Sequence, residues 1–174
     1  MYNDKAVGVD NISMGNKLGL SERANWKPRW IIEKYNKDME LYETEKIEGN
    51  ILLNEGITEL LNLLIGASAT AFNSANAHIG VGDGTTVASA GQTGLVGTNK
   101  TYRPVDSTYP QVLGQTVTFR YTFGPTFRNH KWREFTVANG NSDTAKNLNR
   151  LVEAPLSEKV APDTWVVSLQ VTIS

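Results

Sequence analysis

The stretch Gly80-Val81-Gly82-Asp83-Gly84 has a glycine spacing that could cradle a phosphate group. A dinucleotide-binding loop needs G-x-G-x-x-G at the start of a helix, and a phosphate-binding loop ends in Gly-Lys-Ser or Gly-Lys-Thr. Here Thr85 follows the last glycine, no lysine comes next, and no helical pattern begins. The sequence therefore favours a strand that ends in a glycine-rich turn over a nucleotide site. Glycines inside a strand also indicate close approach of another backbone or a bulge.

Residues that bind metals or transfer protons are scattered along the chain. His78 and His130 are the two histidines, and neither belongs to an HxxxH or HExxH pattern. The chain contains no cysteine, which excludes disulfides, thiolate catalysis and thiolate metal sites. Calcium loops, paired carboxylates and a GxSxG elbow are missing too. We expect a protein that is not an enzyme and binds no metal or other cofactor.

Four aspartates could still be read as ligands or proton carriers. Each lies in turn-like sequence beside Gly, Ser or Thr, where bonding of the side chain to the backbone explains its presence. They are Asp83, Asp106, Asp143 and Asp163.

Length and charge limit the remaining classes of function. The chain has 174 residues, enough for one domain and an appendage. Its 17 basic and 18 acidic residues give a net charge of −1, which is not the signature of a nucleic-acid or membrane-surface binder. No apolar run reaches the roughly 18 residues that cross a bilayer, and the N-terminus lacks the apolar core of a signal peptide. We expect a soluble protein without nucleic-acid, membrane or small-molecule ligands.

Residues 54–65 have the clearest local pattern, that of a short α-helix. Apolar residues recur at the i, i+3, i+4, i+7 spacing of one helical face, at Ile57, Leu60, Leu61 and Leu64. Asn54 is predicted to cap the first turn and Gly66 to end the helix. A helix this short is marginal alone, so we expect its apolar stripe to be buried against a sheet. Leu61→Ala should then cost about 2–5 kcal/mol.

Most of the remaining sequence is typical of β-strands. WIIEKY and ELYETEKIEGNILL flank the turn at 36–38, and QTVTFRYTF alternates apolar with polar residues. KWREFTVANG, LNRLVEAPL and TWVVSLQVTIS supply further strands. The predicted fold is mainly β, an antiparallel sandwich or barrel with one short helix. Residues 83–99 are predicted to form a long loop, either a contact surface or a mobile connection.

Residues 1–25 are predicted to be an extended N-terminal arm, and residues 26–174 a single β-rich domain. The arm is either a disordered terminus or a strap that orders on a neighbouring subunit. The adjacent sequence WKPRW could face a protein partner or stack on a sugar, or it could pack within the hairpin. The candidate partner-contact residues are Val7, Val9, Ile12, Leu18, Leu20, Trp26, Arg29 and Trp30.

Residues 30–174 resemble structural proteins of tailed-bacteriophage virions. The resemblance is carried by WIIEKY, IEGNILLNEGITELLNLLIG, AHIGVGDGTT, EFTVANG, LNR and the final WVVSLQVTIS. Small head-associated proteins that decorate or cement a capsid are similar. The residues before Trp26 lie outside the resemblance.

This resemblance implies a non-enzymatic capsid decoration protein that binds the outside of the shell and reinforces it through subunit contacts. Its implied partners are the major capsid protein and copies of itself, with a trimer favoured. Its implied location is the virion surface, after synthesis in the host cytoplasm. The alternative is a tail or tail-fibre component that binds host glycans.

Overall fold

Two antiparallel sheets of five strands each and one helix make up the fold. The computed structural model describes residues 24–127, 131–153 and 158–174. The strands are β1 (Trp26–Tyr35), β2 (Leu41–Glu48), β3 (Ile51–Leu52), β4 (His78–Gly82), β5 (Lys100–Pro104), β6 (Gln111–Leu113), β7 (Thr116–Phe123), β8 (Glu134–Ala138), β9 (Asn149–Val152) and β10 (Thr164–Ile173). The helix α1 spans Asn54–Leu64. The predicted mainly β class with a single short helix is confirmed.

The first sheet has the strand order β2-β1-β10-β7-β6, with β10 at its centre. The period of two predicted for β7 places its large apolar side chains on the inner face, and β10 follows the same alternation. Phe119 and Phe123 are buried from β7, and Trp165, Val167 and Leu169 are buried from β10. Ile173, the last residue of β10, is half exposed.

The second sheet has the order β3-β9-β8-β4-β5 and faces the first across one apolar core. Ile79, Val81, Phe135 and Val137 contribute from this sheet. Trp30 of the first sheet meets Phe135 with ring centroids 5.5 Å apart, so the two layers are in direct contact. This arrangement is a β-sandwich.

The β1–β2 hairpin leaves β2 as a free edge of the first sheet. Its turn is held by Asn36, whose side-chain oxygen accepts hydrogen bonds from the backbone N–H groups of Asp38 and Glu40 at 2.9 and 3.0 Å. Lys34 of β1 is fully buried and forms ion pairs with Glu43 and Glu45 of β2. These pairs connect the edge strand to the body through inward-facing charges.

The helix has the predicted length, but its first turn is capped differently. Asn54 is the first helical residue, not the cap, and Leu53 precedes the helix without a side-chain cap bond. The backbone N–H of Leu53 instead donates to the carbonyl oxygen of Leu148 at 3.0 Å, and that of Asn54 donates to Ala90. Gly66 ends the helix as predicted, in the left-handed conformation at φ 69°. Tertiary contacts thus replace the expected local cap.

The orientation predicted for the helix is wrong, because its apolar stripe faces solvent. Ile57, Leu61 and Leu64 are 38%, 56% and 80% exposed, while Gly56 and Glu59 are the buried helical residues. Of the predicted stripe, Leu60 alone packs against the core. A Cβ on Gly56 would lie 2.7 Å from the Cα of Leu148, so the glycine permits this close approach.

Replacing Glu59 by Ala should therefore destabilise the domain more than replacing Leu61 by Ala. The Glu59 carboxylate accepts hydrogen bonds from the Thr70 N–H at 2.7 Å and from the Asn139 amide at 2.9 Å. Losing both should cost about 1–3 kcal/mol, whereas the exposed Leu61 should change stability by about 0.5 kcal/mol or less. Urea denaturation of the two variants measures the difference. A larger loss of stability for Leu61→Ala than for Glu59→Ala would show that the apolar stripe faces the core, as the sequence predicts.

Candidate functional site

A buried ion pair between Glu134 and Arg150 organises the end of the second sheet. Both side chains are completely inaccessible to solvent. The Nε and Nη2 atoms of Arg150 donate to Oε2 of Glu134 at 3.0 and 2.7 Å. The Nη1 atom donates to the carbonyl oxygen of Thr86 and to the side-chain oxygen of Gln92, at 2.9 and 2.8 Å. Buried charges persist only when they are paired and hydrogen-bonded in this way.

The long loop at residues 83–99 folds around the Glu134 carboxylate. The backbone N–H groups of Gly84 and Gly97 donate to Oε1 at 3.1 and 2.7 Å, and that of Val96 donates to Oε2 at 3.0 Å. Asp83 closes the base of the loop, because it accepts from the backbone and side chain of Asn99. The prediction of a long loop without regular structure is confirmed, and these bonds attach it to the sheet at several points.

The glycines of the apparent phosphate loop make room for this carboxylate. A Cβ on Gly84 or Gly97 would lie 2.6 or 2.7 Å from the Glu134 Oε1 atom, closer than real Cβ contacts come. At Gly82 the nearest neighbour is again Glu134, and at Gly80 it is Thr136. Within the β4 strand, side chains and not a second backbone approach the glycines. The buried Glu134 carboxylate explains Gly82 and Gly84, and the Thr136 side chain explains Gly80, which supports the interpretation of a strand and turn.

The loop is also fastened through Asp143, which follows β8. The Tyr102 hydroxyl donates to Asp143 at 2.6 Å, and Lys100 forms an ion pair with the same carboxylate. Burial and the hydrogen bond to Asp143 raise the pKa of the Tyr102 hydroxyl above its usual value. The nearby Lys100 ammonium also donates to the carbonyl oxygen of Leu95 at 3.1 Å. This tyrosine stays protonated and structural at ordinary pH.

The remaining candidate ligands are separated by the fold. Asp106 accepts from Thr122, and Asp163 accepts from the Tyr42 hydroxyl at 2.7 Å. Burial and this bond raise the pKa of Tyr42 to about 12. The imidazole of His78 contacts the carbonyl oxygen of Asn76, and His130 lies outside the described residues. Among the residues that the structure describes, no three His, Asp or Glu side chains group together as metal ligands would.

The WKPRW residues fall into different environments. Trp30 is completely buried in the core, so its prediction as a partner contact is corrected, and packing within the sandwich explains it. Trp26 is half-buried and Arg29 is exposed and paired with Glu48 at 2.5 Å. The Trp26 and Arg29 side chains help to line a surface groove of about 410 Å³ beside Gln170. The Trp26 indole N–H is buried there without a hydrogen-bond partner.

The other five predicted contact residues, Val7, Val9, Ile12, Leu18 and Leu20, lie outside the described residues.

Among the described residues, one exposed apolar surface is formed by side chains that the sequence prediction placed inside. We call it the apolar helix face, made of Ile57, Leu61, Leu64 and Ile65. Leu64 and Ile65 are 80% and 77% exposed. The sequence contains one indication of this orientation. Glu55 and Glu59, spaced i, i+4, and Gly56 lie on the opposite side of the helix, which faces the domain. The Glu55 carboxylate accepts from the Asn147 backbone N–H at 2.8 Å, which fixes that side inward.

No protein-family model, curated protein or solved structure matches the chain. In the described ranges, every helix is too short or too polar to span a membrane.

Proposed function

We propose that the chain is a non-enzymatic structural subunit of a tailed-phage virion that binds the outside of the capsid as a decoration protein. Its partners are the major capsid protein and copies of itself, most simply in a trimer. It reinforces the shell through subunit contacts and needs no cofactor. Made in the host cytoplasm, it resides on the virion surface.

The observation that carries this proposal is the apolar helix face. The carboxylates of this helix form hydrogen bonds toward the domain, while Ile57, Leu61 and Leu64 are exposed to solvent. Contiguous exposed apolar surface of this kind marks interaction sites. The sequence resemblance to virion proteins supplies the class of partner. The buried Glu134–Arg150 pair supports the non-enzymatic part of the proposal. Both side chains hold the 83–99 loop and neither is accessible to a substrate.

A tail or tail-fibre component that binds host glycans is the second candidate. The groove beside Trp26 favours it, because aromatic faces stack on sugars. Glycan-array binding that disappears in Trp26→Ala would favour this alternative.

Purified protein should bind virions from which it has been removed, and electron microscopy should place it on the head. Leu61→Asp should lower occupancy about tenfold, because it puts a charge into the apolar helix face. Leu113→Asp is the matched control, since Leu113 is 86% exposed on the edge strand β6. Density on the tail alone would support the second candidate. If the protein bound neither the head nor the tail, both candidate functions would be contradicted.

A further inference from the structure

The polar side of helix α1 faces the rest of the domain. Glu55 bonds to the backbone of Asn147, and Glu59 bonds to Thr70 and Asn139. These bonds hold the helix against the β8–β9 connection and leave the apolar helix face without a partner among the described residues. A helix stabilised in this way does not need the exposed Leu61 and Leu64 for folding. They are available to bind another segment.

The second half of the helix and the segment that follows it carry no charge that would select a charged partner. From Leu60 to Ala77 the sequence has no Asp, Glu, Lys, Arg or His. Its occupant should therefore be an apolar, roughly neutral segment. Charged ligands and nucleic acid are poor candidates for this surface.

Residues 1–23 of this chain have the required composition and length. They carry three acidic and three basic residues, which balance, and scattered apolar residues at Val7, Val9, Ile12, Met14, Leu18 and Leu20. If extended, 23 residues span up to about 75 Å. The segment joins the described fold at Ala24, directly before β1.

A hydrogen bond and a short stretch of chain connect the start of β1 with the start of the helix. The backbone N–H of Gly49 donates to the carbonyl oxygen of Pro28 at 3.0 Å, and α1 begins five residues later. A contact between copies near this connection would bring the segment of one near the helix of the next. One segment and one face per copy form a head-to-tail interface, which gives a ring when the rotation between copies closes.

We propose that residues 1–23 of one subunit lie across the apolar helix face of a neighbouring copy. This inference rests on the proposed assembly function and names the surface that receives the strap. Docking of the segment on the helix of its own chain is the alternative arrangement, which the same length of chain would reach.

Cysteine cross-linking of full-length chains separates these arrangements, because the natural sequence has no cysteine. One chain carries Val7→Cys, Ile12→Cys or Leu18→Cys, and a second, mass-tagged chain carries Leu61→Cys. After mild oxidation of the mixture, we expect a disulfide between the two chains, since docking brings their Cα atoms within bonding range. The yield should exceed that of the Leu113→Cys control about tenfold.

Equal yields with the two acceptor positions would overturn the proposal. So would a disulfide that forms within one chain carrying both Leu18→Cys and Leu61→Cys, while mixed single variants stay unlinked.

Light scattering against concentration gives an independent readout in the full-length protein. Leu61→Asp should weaken self-association about tenfold, and Leu113→Asp should leave it unchanged. Unchanged association in Leu61→Asp would contradict the proposal. Cross-linking without virion binding would refute the decoration function alone, whereas virion binding without cross-linking would refute the strap on the helix face alone.

Discussion

Glu134→Ala should destabilise the domain by about 3–5 kcal/mol, the usual cost of breaking a buried ion pair by removing one partner. The substitution leaves the Arg150 guanidinium buried beside an empty space, with no anion to balance it. It also removes the acceptor for the N–H groups of Gly84, Val96 and Gly97. Urea denaturation measures the loss. Hydrogen exchange should show lost protection at these three amides, since each becomes unbonded.

Glu48→Ala provides the control for removal of a carboxylate. Glu48 pairs with Arg29 at the surface, where their side chains are 65% and 50% exposed. Surface ion pairs contribute about 0–1 kcal/mol, so this variant should remain close to the natural protein. Equal losses for Glu134→Ala and Glu48→Ala would show that the buried pair does not hold the loop. Glu134→Gln keeps the shape and removes the charge, and we expect an intermediate loss.

Trp132→Ala should cost about 3–5 kcal/mol because it empties the aromatic centre of the core. Trp132 is fully buried, with its ring centroid 4.7 Å from that of Phe123 and 5.1 Å from that of Trp165. Both contacts are edge-to-face, the geometry that adds to the stabilisation from burial. The measurement is again chemical denaturation, with near-ultraviolet circular dichroism to report the loss of aromatic packing.

Trp26→Ala is the matched control for removal of an indole. Trp26 lies half-buried at the start of β1, so the substitution removes less buried surface and opens a groove instead of a closed cavity. We expect a clearly smaller loss of stability. If the two tryptophan variants unfolded at the same denaturant concentration, the aromatic cluster would not be the centre of the core.

Strands with one buried face were predictable from the sequence, because alternation has a direct physical cause. The β7 strand shows this best, since Phe119 and Phe123 are buried where the pattern placed them. The bounds of α1 were predictable for a similar reason. Apolar periodicity and the stop at Gly66 describe a helix whatever it packs against.

The orientation of the helix was not predictable by the same reasoning. Periodicity locates an apolar stripe, but turning that stripe inward assumes that the domain has no partner to cover it. The inward contacts of Glu59 depend on Thr70 and Asn139, the second of which lies 80 residues away in the sequence.

The Glu134 site escaped prediction because its parts are distant in sequence. Glu134 lies 50 residues from Gly84 and 16 from Arg150. Local pattern shows a glycine-rich stretch, a strand that contains a Glu and a strand that contains an Arg, each of which is ordinary alone. Only the pairing of β4 with β8, and of β8 with β9, brings them together.

The charged edge of the first sheet has a consequence for solubility. A free β-strand invites pairing with the same strand of another molecule, which leads to fibres. Here β2 contains Glu43, Glu45, Lys46 and Glu48 among its eight residues. Pairing two β2 strands would bring their carboxylates close together. It would also disturb the ion pairs that Glu43 and Glu45 form with Lys34. Pairing of two molecules along β2 is therefore disfavoured, while the apolar helix face remains exposed elsewhere on the molecule.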